Sequence, residues 1–242
     1  GVTGVQTCAL PISRINGITS AVSAPQGGLI SGTSALMHLD GWTWEDMTVR
    51  APLALHVAWP GRPGFSAFGG GGRGGDPEKA AQERADQVKR LKEAFQDARA
   101  YLTARGAMGR PGVPSHDFEP KWEAMIPALQ GKIPVIVSCR WSEDIRDIVE
   151  WATGEGLKLV LAGADDCEPV LDLLKSKQIP VILDPVFDFP PQRYMAYDTA
   201  YSLAGKLAAA GVPFCFAMSS DASNSRNLPY SAAMAVAYGC PA

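Results

Sequence analysis

The sequence lacks the features that mark nucleic-acid-binding, membrane-spanning and disulfide-bonded proteins. Its 22 Lys and Arg against 25 Asp and Glu give a formal net charge of −3, so no basic surface for nucleic acid or an anionic membrane is expected. No apolar run approaches the roughly 20 residues that a membrane-spanning helix needs. The five cysteines show no CxxC spacing, which predicts buried, reduced thiols and a reducing compartment such as the cytoplasm.

Histidine is also scarce. The sequence holds three, His38, His56 and His116, and they lie far apart along the chain. Zinc sites need several clustered imidazole or thiolate ligands, so these isolated residues do not predict a structural metal site. His56, within LALHVAW, is either a site residue at a strand end or a packed histidine with a satisfied hydrogen bond, and the second interpretation is favoured. His38 and His116 are expected in loops.

The second half of the chain alternates short β-branched runs with helical stretches. Strands are predicted at 133–139, 158–163, 179–185 and 212–219. Helices are predicted at 142–156, 167–177, 197–210 and 229–238. An alternating βα order predicts a parallel sheet with right-handed crossovers.

Two local patterns sharpen this prediction. The run IPVIVSC is continuously apolar, which is typical of a strand that is buried on both faces. Ser142 follows it as the expected N-cap of a helix with an acidic first turn. That helix places Ile145, Ile148, Val149 and Ala152 on one face.

The first half is less regular. Strands are predicted at 18–24 and 53–59, separated by a Gly- and Ser-rich stretch at 27–44. A loop at 60–75, a long helix from Asp76, a linker at 106–117 and a short helix at 118–130 follow. The six predicted strands fit either an open doubly wound sheet or part of a (β/α)₈ barrel, and periodicity does not choose between them.

Three stretches carry a family resemblance, at 14–47, 131–145 and 211–239. They include the motifs GGLISGTSALMHLDGW and SDASNSRNLPY, and together they resemble the imidazolonepropionase-related branch of the amidohydrolase superfamily. The resemblance implies a TIM-type (β/α)₈ barrel flanked by a small β-sandwich. Residues 13–242 would then form an incomplete barrel domain that lacks the first strand and the sandwich.

The family's reaction is metal-dependent hydrolysis of cyclic amide or peptide-like C–N bonds, with zinc or another divalent ion activating water. The resemblance implies that Asp221 holds the place of the strand-eight aspartate, a metal ligand and general base. The strand-five and strand-six histidines of the family fall on Ser138 and Ala162. Since neither residue supplies an imidazole, we expect a degenerate homologue that binds no metal of the usual kind.

Four further residues are candidates for contacts with a small-molecule or peptide-like substrate: Arg140, Asn224, Arg226 and Asn227. The alternative for the three C-terminal residues is hydrogen bonding between loops. The alternative for Arg140 is a salt bridge at the rim with Glu143, Asp165 or Asp166, and it is favoured. Cys139 has no histidine nearby in the sequence that would make it a nucleophile.

Three functions remain open at this point. The chain is a hydrolase, a non-catalytic protein that binds a small molecule or joins an oligomer with a related amidohydrolase, or a gene fragment without activity. The stretch VTGVQTCALPI at 2–12 adds to the third interpretation. It is similar, residue for residue, to the translation of a common sequencing adaptor, so residues 1–12 are expected to be a scar rather than native chain.

Overall fold

A computed structural model describes residues 13–61, 76–108, 117–184, 186–187, 190, 195–218 and 222–241. The strands are β1 Ser20–Ser23, β2 Ile30–Thr33, β3 Ala35–His38, β4 Thr48–Arg50, β5 Leu55–Ala58, β6 Val135–Cys139, β7 Leu159–Gly163, β8 Val181–Leu183 and β9 Phe214–Phe216. The α-helices are α1 Trp44–Met47, α2 Pro77–Ala107, α3 Pro120–Glu123, α4 Ile126–Leu129, α5 Ser142–Gly154, α6 Leu171–Lys177, α7 Thr199–Ala210 and α8 Leu228–Ala237. Short 3₁₀ segments occupy Glu168–Val170 and Ala222–Asn227.

The main sheet has six strands in the order β2-β5-β6-β7-β8-β9. Strands β5 to β9 run parallel, and β2 pairs antiparallel with β5 at one edge. A separate antiparallel sheet has the order β1-β3-β4. The prediction of an α/β protein with a parallel sheet is therefore confirmed.

Helix ends follow the local signals. Helix α2 starts at Pro77, and the carboxylate of Asp76 accepts a hydrogen bond from the Glu78 backbone N–H at 3.0 Å, which satisfies one of the free donors of the first turn. Helix α7 ends at Gly211, whose φ of +74° is the left-handed conformation that glycine adopts at low cost. Both ends confirm the prediction made from the sequence.

The stretch at 27–44 holds two strands that the pattern did not indicate, β2 and β3. Its glycines and serines give no apolar alternation, so pairing with distant residues decides its structure. Ile30 pairs with Val57 and Gly32 with His56 across a bulge, and Gly32 has a φ of +115° there. His38 ends β3, so its assignment to a loop was wrong.

Two other local predictions need correction. The helix expected at 118–130 is two short helices, α3 and α4, because Pro127 has no N–H and so cannot make the helical hydrogen bond to the Glu123 carbonyl across their junction. Trp141 is the N-cap of α5, and Ser142 is its first helical residue. The predicted loop at 60–75 and linker at 106–117 lie mostly outside the described residues.

The core lies on one face of the main sheet. Leu55, Val57, Val135, Val137 and Leu161 are at most 1% exposed. Side chains such as Phe95 of α2 and Ile148 of α5 cover that face. The alternate residues of the same strands are half-buried or exposed, namely His56, Ala58, Ile136, Ser138, Val160, Ala162, Ile182 and Cys215. The prediction that β6 is buried on both faces was therefore wrong, because in the part of the chain that the structure describes Val135 and Val137 are buried whereas Ile136 and Ser138 on the other face are not. The exposed Cys215 likewise corrects the expectation of buried thiols throughout.

Candidate functional site

The carboxyl ends of β6 and β7 bring two of the candidate positions together. The register pairs Ser138 with Ala162, and Ala58 of β5 pairs with Ser138 on its other side. These three residues share the face of the sheet that faces away from the helices. Ser138 is exposed there, and Ala162 is half-buried.

This pair of positions does not fit the zinc centre that the family resemblance implies. Ala162 presents a methyl group, which has no lone pair, and the neutral hydroxyl of Ser138 is a poor zinc ligand. Among the described residues no group of three or more His, Cys, Asp and Glu side chains is arranged to hold a metal ion. Asp221 lies outside the described residues.

Arg140 is held at the rim by a carboxylate. Its Nε lies 2.8 Å from Oδ2 of Asp165, and both side chains are partly exposed. Of the two interpretations of Arg140, the ion pair is the one the structure shows. A guanidinium that is already paired keeps donors for a second partner, but its charge is largely compensated.

Asp166 connects the segment that follows β7 to the segment that follows β6. Its Oδ2 accepts a hydrogen bond from the Ser142 hydroxyl at 2.8 Å and from the Ser142 backbone N–H at 3.2 Å. The Asp166 N–H in turn donates to the Arg140 carbonyl at 3.0 Å. This pairing was not predicted, because residues 24 positions apart show no sequence signal for each other. The serine that resembles an N-cap instead connects the β6 and β7 loops.

The backbones of β6 and β7 approach each other closely at their carboxyl ends, at Cys139, Gly163 and Ala164, and this region is called the mouth below. Gly163 has a φ of +83°, and a Cβ at this position would lie 2.8 Å from the Cys139 carbonyl oxygen. The Ala164 N–H donates to that same oxygen at 2.7 Å. Oδ2 of Asp184, which follows β8, would lie 3.9 Å from that Cβ, so Asp184 reaches the same mouth.

The three C-terminal candidates lie in or next to one short segment. Asn224 and Arg226 belong to the 3₁₀ turn Ala222–Asn227, and Asn227 is also the N-cap of α8, without a side-chain capping bond. Arg226 is exposed, whereas Asn224 and Asn227 are half-buried. The neighbouring Ser225 hydroxyl lies 2.7 Å from the hydroxyl of Ser13, which anchors this turn to the first described residue.

The thiols near the mouth are poor nucleophiles. Burial, reinforced by the nearby carboxylate of Asp144, raises the pKa of Cys139 far above its ordinary value. Burial also raises the pKa of Cys167 to about 12. Since the thiolate is the reactive form, both groups are essentially neutral near pH 7. This agrees with the absence of a nucleophilic role for Cys139 in the sequence interpretation.

His38 and His56 do not lie at the mouth. His56 lies on the same sheet face as Ser138 and pairs with Gly32 on one side and Ile136 on the other. It is two residues nearer the amino end of β5 than Ala58, the residue that pairs with Ser138. Its Nε2 is buried and has no hydrogen-bond partner among the described residues, so the expected satisfied bond is not found at that atom. Burial lowers its pKa. His38 Nδ1 lies 3.0 Å from the Ser20 hydroxyl in the small sheet, and His116 is outside the described residues.

Comparison with known proteins gives one fold relationship. No protein-family model matches the sequence. No curated protein matches it. A solved structure, described as an amidohydrolase from Thermotoga maritima MSB8, superposes with a TM-score of 0.80 and 19% sequence identity. The match covers 99% of this chain and 61% of that one.

At this identity the likeness shows the fold alone. The chain spans 61% of the length of that structure. In the described part of the chain, no helix is long and apolar enough to cross a membrane.

Proposed function

We propose that this chain is a degenerate member of the imidazolonepropionase-related branch of the amidohydrolases, whose inherited site binds a small molecule without the usual metal centre. The observation that carries the proposal is the direct pairing of Ser138 with Ala162. The resemblance assigns histidines to both positions, and the register makes them neighbours on adjacent strands. A change at two adjacent ligand positions removes the two imidazoles that would have shared one ion.

The rest of the family architecture belongs to the same proposal. Residues 13–242 form a partial TIM-type barrel that lacks the first strand and the flanking β-sandwich, and residues 1–12 are derived from an adaptor. The likeness to an amidohydrolase structure over 61% of its length supports the partial barrel. Amplifying and sequencing the source DNA across codon 13 tests whether residues 1–12 are adaptor-derived. If they are native, the source DNA carries codons 1–12 directly before codon 13.

The site offers polar groups that bind rather than hydrolyse. In the proposed arrangement, Arg140 donates to a substrate carbonyl or carboxylate while Asp165 compensates its charge. Asn224, Arg226 and Asn227 add donors and acceptors from the segment after β9, and Asp221, three positions before Asn224 in the sequence, keeps the residue type that the family has there. A cyclic amide or a peptide-like molecule matches this mixture of donors and acceptors.

A second candidate is a partner subunit of an active, related amidohydrolase. The half-buried face of the main sheet favours it, because Ile136, Val160 and Ile182 lie on the face opposite the one that packs against α2 and α5. A contiguous apolar face of this kind is typical of an interaction surface. Sedimentation of the chain alone, and of the chain with an active relative from the same source, separates a hetero-oligomer from a self-contained binding protein.

Metal content is the measurement that tests the degenerate site. We expect the purified chain to hold far less than one zinc per molecule by mass spectrometry. A Ser138→His/Ala162→His variant should gain zinc, because two imidazoles on paired positions restore the missing donors. The matched control is Ile136→His/Val160→His, which places the same pair one step towards the amino ends of the same strands and should gain less.

The opposite outcome would support the interpretation of the chain as a metal-dependent hydrolase. If the unaltered chain holds about one metal per molecule and Asp221→Ala removes it, the ligands are residues other than those assigned here. Equal zinc uptake by both double-histidine variants would show that the mouth has no special relation to a metal site, and the assignment of Ser138 and Ala162 would be wrong.

A further inference from the structure

Four aromatic side chains form a cluster beside the amino end of helix α7. The Tyr201 and Tyr238 rings are stacked, with centroids 5.0 Å apart and an interplanar angle of 25°. Phe187 makes a T-shaped contact with Tyr201, with centroids 6.3 Å apart and an angle of 73°. A side-chain hydrogen bond joins Tyr197 to Tyr238. These four residues are called the aromatic cluster.

The backbone near the ends of α7 and α8 holds the stacked rings together. A Cβ on Gly205 of α7 would lie 2.9 Å from the carbonyl carbon of Gly239, so the two backbones are in contact there. Tyr201 lies one turn before Gly205, and Tyr238 directly precedes Gly239. The stack is therefore formed by the fold itself, which lowers the entropic cost of binding a ligand on it.

Much of this aromatic surface is open to solvent. Tyr197 is 74% exposed, Phe187 is 51% exposed and Tyr238 is 36% exposed. Aromatic rings normally contribute their area to cores and interfaces, where their burial stabilises the fold or the complex. A contiguous group of rings that pack on one another and still face solvent is typical of a binding surface.

A carboxylate lies next to these rings. Asp198 is the N-cap of α7, the position whose side chain lies near the third helical residue, which here is Tyr201. The pKa of Tyr238 is raised, first by desolvation and then by the neighbouring Tyr197, Tyr201 and Asp198, so the charge of Asp198 acts at the cluster. Among the described residues, no Lys or Arg side chain forms an ion pair with Asp198. The cluster therefore combines aromatic surface with an uncompensated negative charge.

We infer that the aromatic cluster binds an alkylated ammonium group, the trimethylammonium head of a small molecule. The negative faces of the rings attract the cation, and its methyl groups displace water from the apolar surface. The Asp198 carboxylate supplies the opposite charge, which distinguishes a cation from a neutral ligand of the same shape. The cluster contains no residue of the mouth, so this inference does not depend on the proposed function.

The experiment titrates the full chain, labelled with ¹³C-tyrosine, with choline as the cationic probe. The comparison probe is 3,3-dimethylbutan-1-ol, which has the shape of choline with carbon in place of the charged nitrogen. The chain holds six tyrosines, so single variants suffice to assign the ring signals. We expect the Tyr201 and Tyr238 signals to move saturably with choline, with a Kd on the order of 1 to 10 mM, and not with the neutral isostere.

Matched variants test the rings and the carboxylate separately. Tyr238→Leu, followed by the Tyr201 signals, should weaken choline binding by about threefold to fivefold, the loss of one cation–π contact. Tyr230→Leu is its control and should leave binding unchanged, because Tyr230 is exposed and has no ring contact with the cluster in the described part of the chain. Asp198→Asn keeps the size of the side chain and should weaken binding by about twofold at low salt. Its control is Asp97→Asn, at an exposed position of α2.

Three results would overturn the inference: choline moves neither ring, the neutral isostere moves both rings equally, or Tyr238→Leu and Tyr230→Leu bind choline alike. Equal movement with methyl β-glucoside would also overturn it, because the cluster would then be a platform for sugars. If Tyr238→Leu does not fold, the Asp198→Asn and Asp97→Asn proteins decide, since both keep every ring. Equal choline affinities in that pair would refute a site that selects for positive charge.

Discussion

Removing the guanidinium of Arg84 should destabilise the protein more than any comparable change on helix α2. Arg84 Nη2 forms an ion pair with Asp144 Oδ1, and Arg84 Nε donates to the Pro60 carbonyl at 3.1 Å. The Asp144 side chain is 2% exposed and the Arg84 side chain 20% exposed. This one side chain therefore joins α2 to the end of β5 and to the first turn of α5.

The magnitude follows from which charge is left behind. In Arg84→Met the aliphatic stem is retained, but the buried carboxylate of Asp144 loses its cation. Breaking a buried pair on one side costs about 3 to 5 kcal/mol. Because Arg84 keeps some contact with solvent, we expect the lower end of that range, about 3 kcal/mol. The Arg84→Met/Asp144→Leu double variant should recover much of the loss, because the buried carboxylate is removed together with its cation.

Urea unfolding followed by tryptophan fluorescence measures this change as a shift in the midpoint at constant slope. Lys89→Met on the same helix is the matched control. Its partner Glu93 lies 3.8 Å away and both side chains are more than half exposed, so its loss should stay within about 0.5 kcal/mol. The reasoning is refuted if Arg84→Met and Lys89→Met unfold at the same urea concentration, or if the double variant is as unstable as Arg84→Met.

Three further predictions concern packing, protonation and reactivity. Gly205→Ala should cost about 1 to 3 kcal/mol, because its Cβ would lie 2.9 Å from the Gly239 carbonyl carbon, and a thermal scan that shows no loss contradicts the close approach of α7 to the end of α8. The lowered pKa of His56 means that the unfolded chain binds the proton more readily, so stability should fall as the pH drops below 6.5. In urea unfolding at several pH values, His56→Gln should reduce the decrease of the midpoint below pH 6.5, whereas His38→Gln should leave it unchanged. If the midpoint decreases equally in the unaltered chain and both variants, His56 is not a buried neutral imidazole. With a thiol-specific disulfide reagent at pH 8, the exposed Cys215 should react before the buried Cys167. The Cys215→Ser variant should lose one fast-reacting thiol. An unchanged fast phase would show that Cys215 is not accessible to the reagent.

The sequence indicated candidate residues for a site, but it did not indicate their contacts. Ser138 and Ala162 were identified from the family resemblance, and the register then showed that they are direct neighbours. The two outcomes for Arg140 were both chemically sound, and the approach of Asp165 to 2.8 Å decided between them. Ser142 shows the limit of a local rule, since the same residue type that caps helices also bonds to any carboxylate that the fold brings near.

The sequence by itself determined the alternating βα order of the second half and two ends of the long helices. Asp76 before Pro77, the glycine after α7 and the apolar face of α5 act through residues within a few positions of each other, so they are visible in the sequence. Only the tertiary structure decided which strands pair, which sheet face is covered and where β2 and β3 form. It also brought Trp59, which follows β5, beside Trp151 of α5, with ring centroids 5.7 Å apart. These features depend on contacts between residues far apart in the chain, whose free energy comes from burial and pairing that no local pattern records.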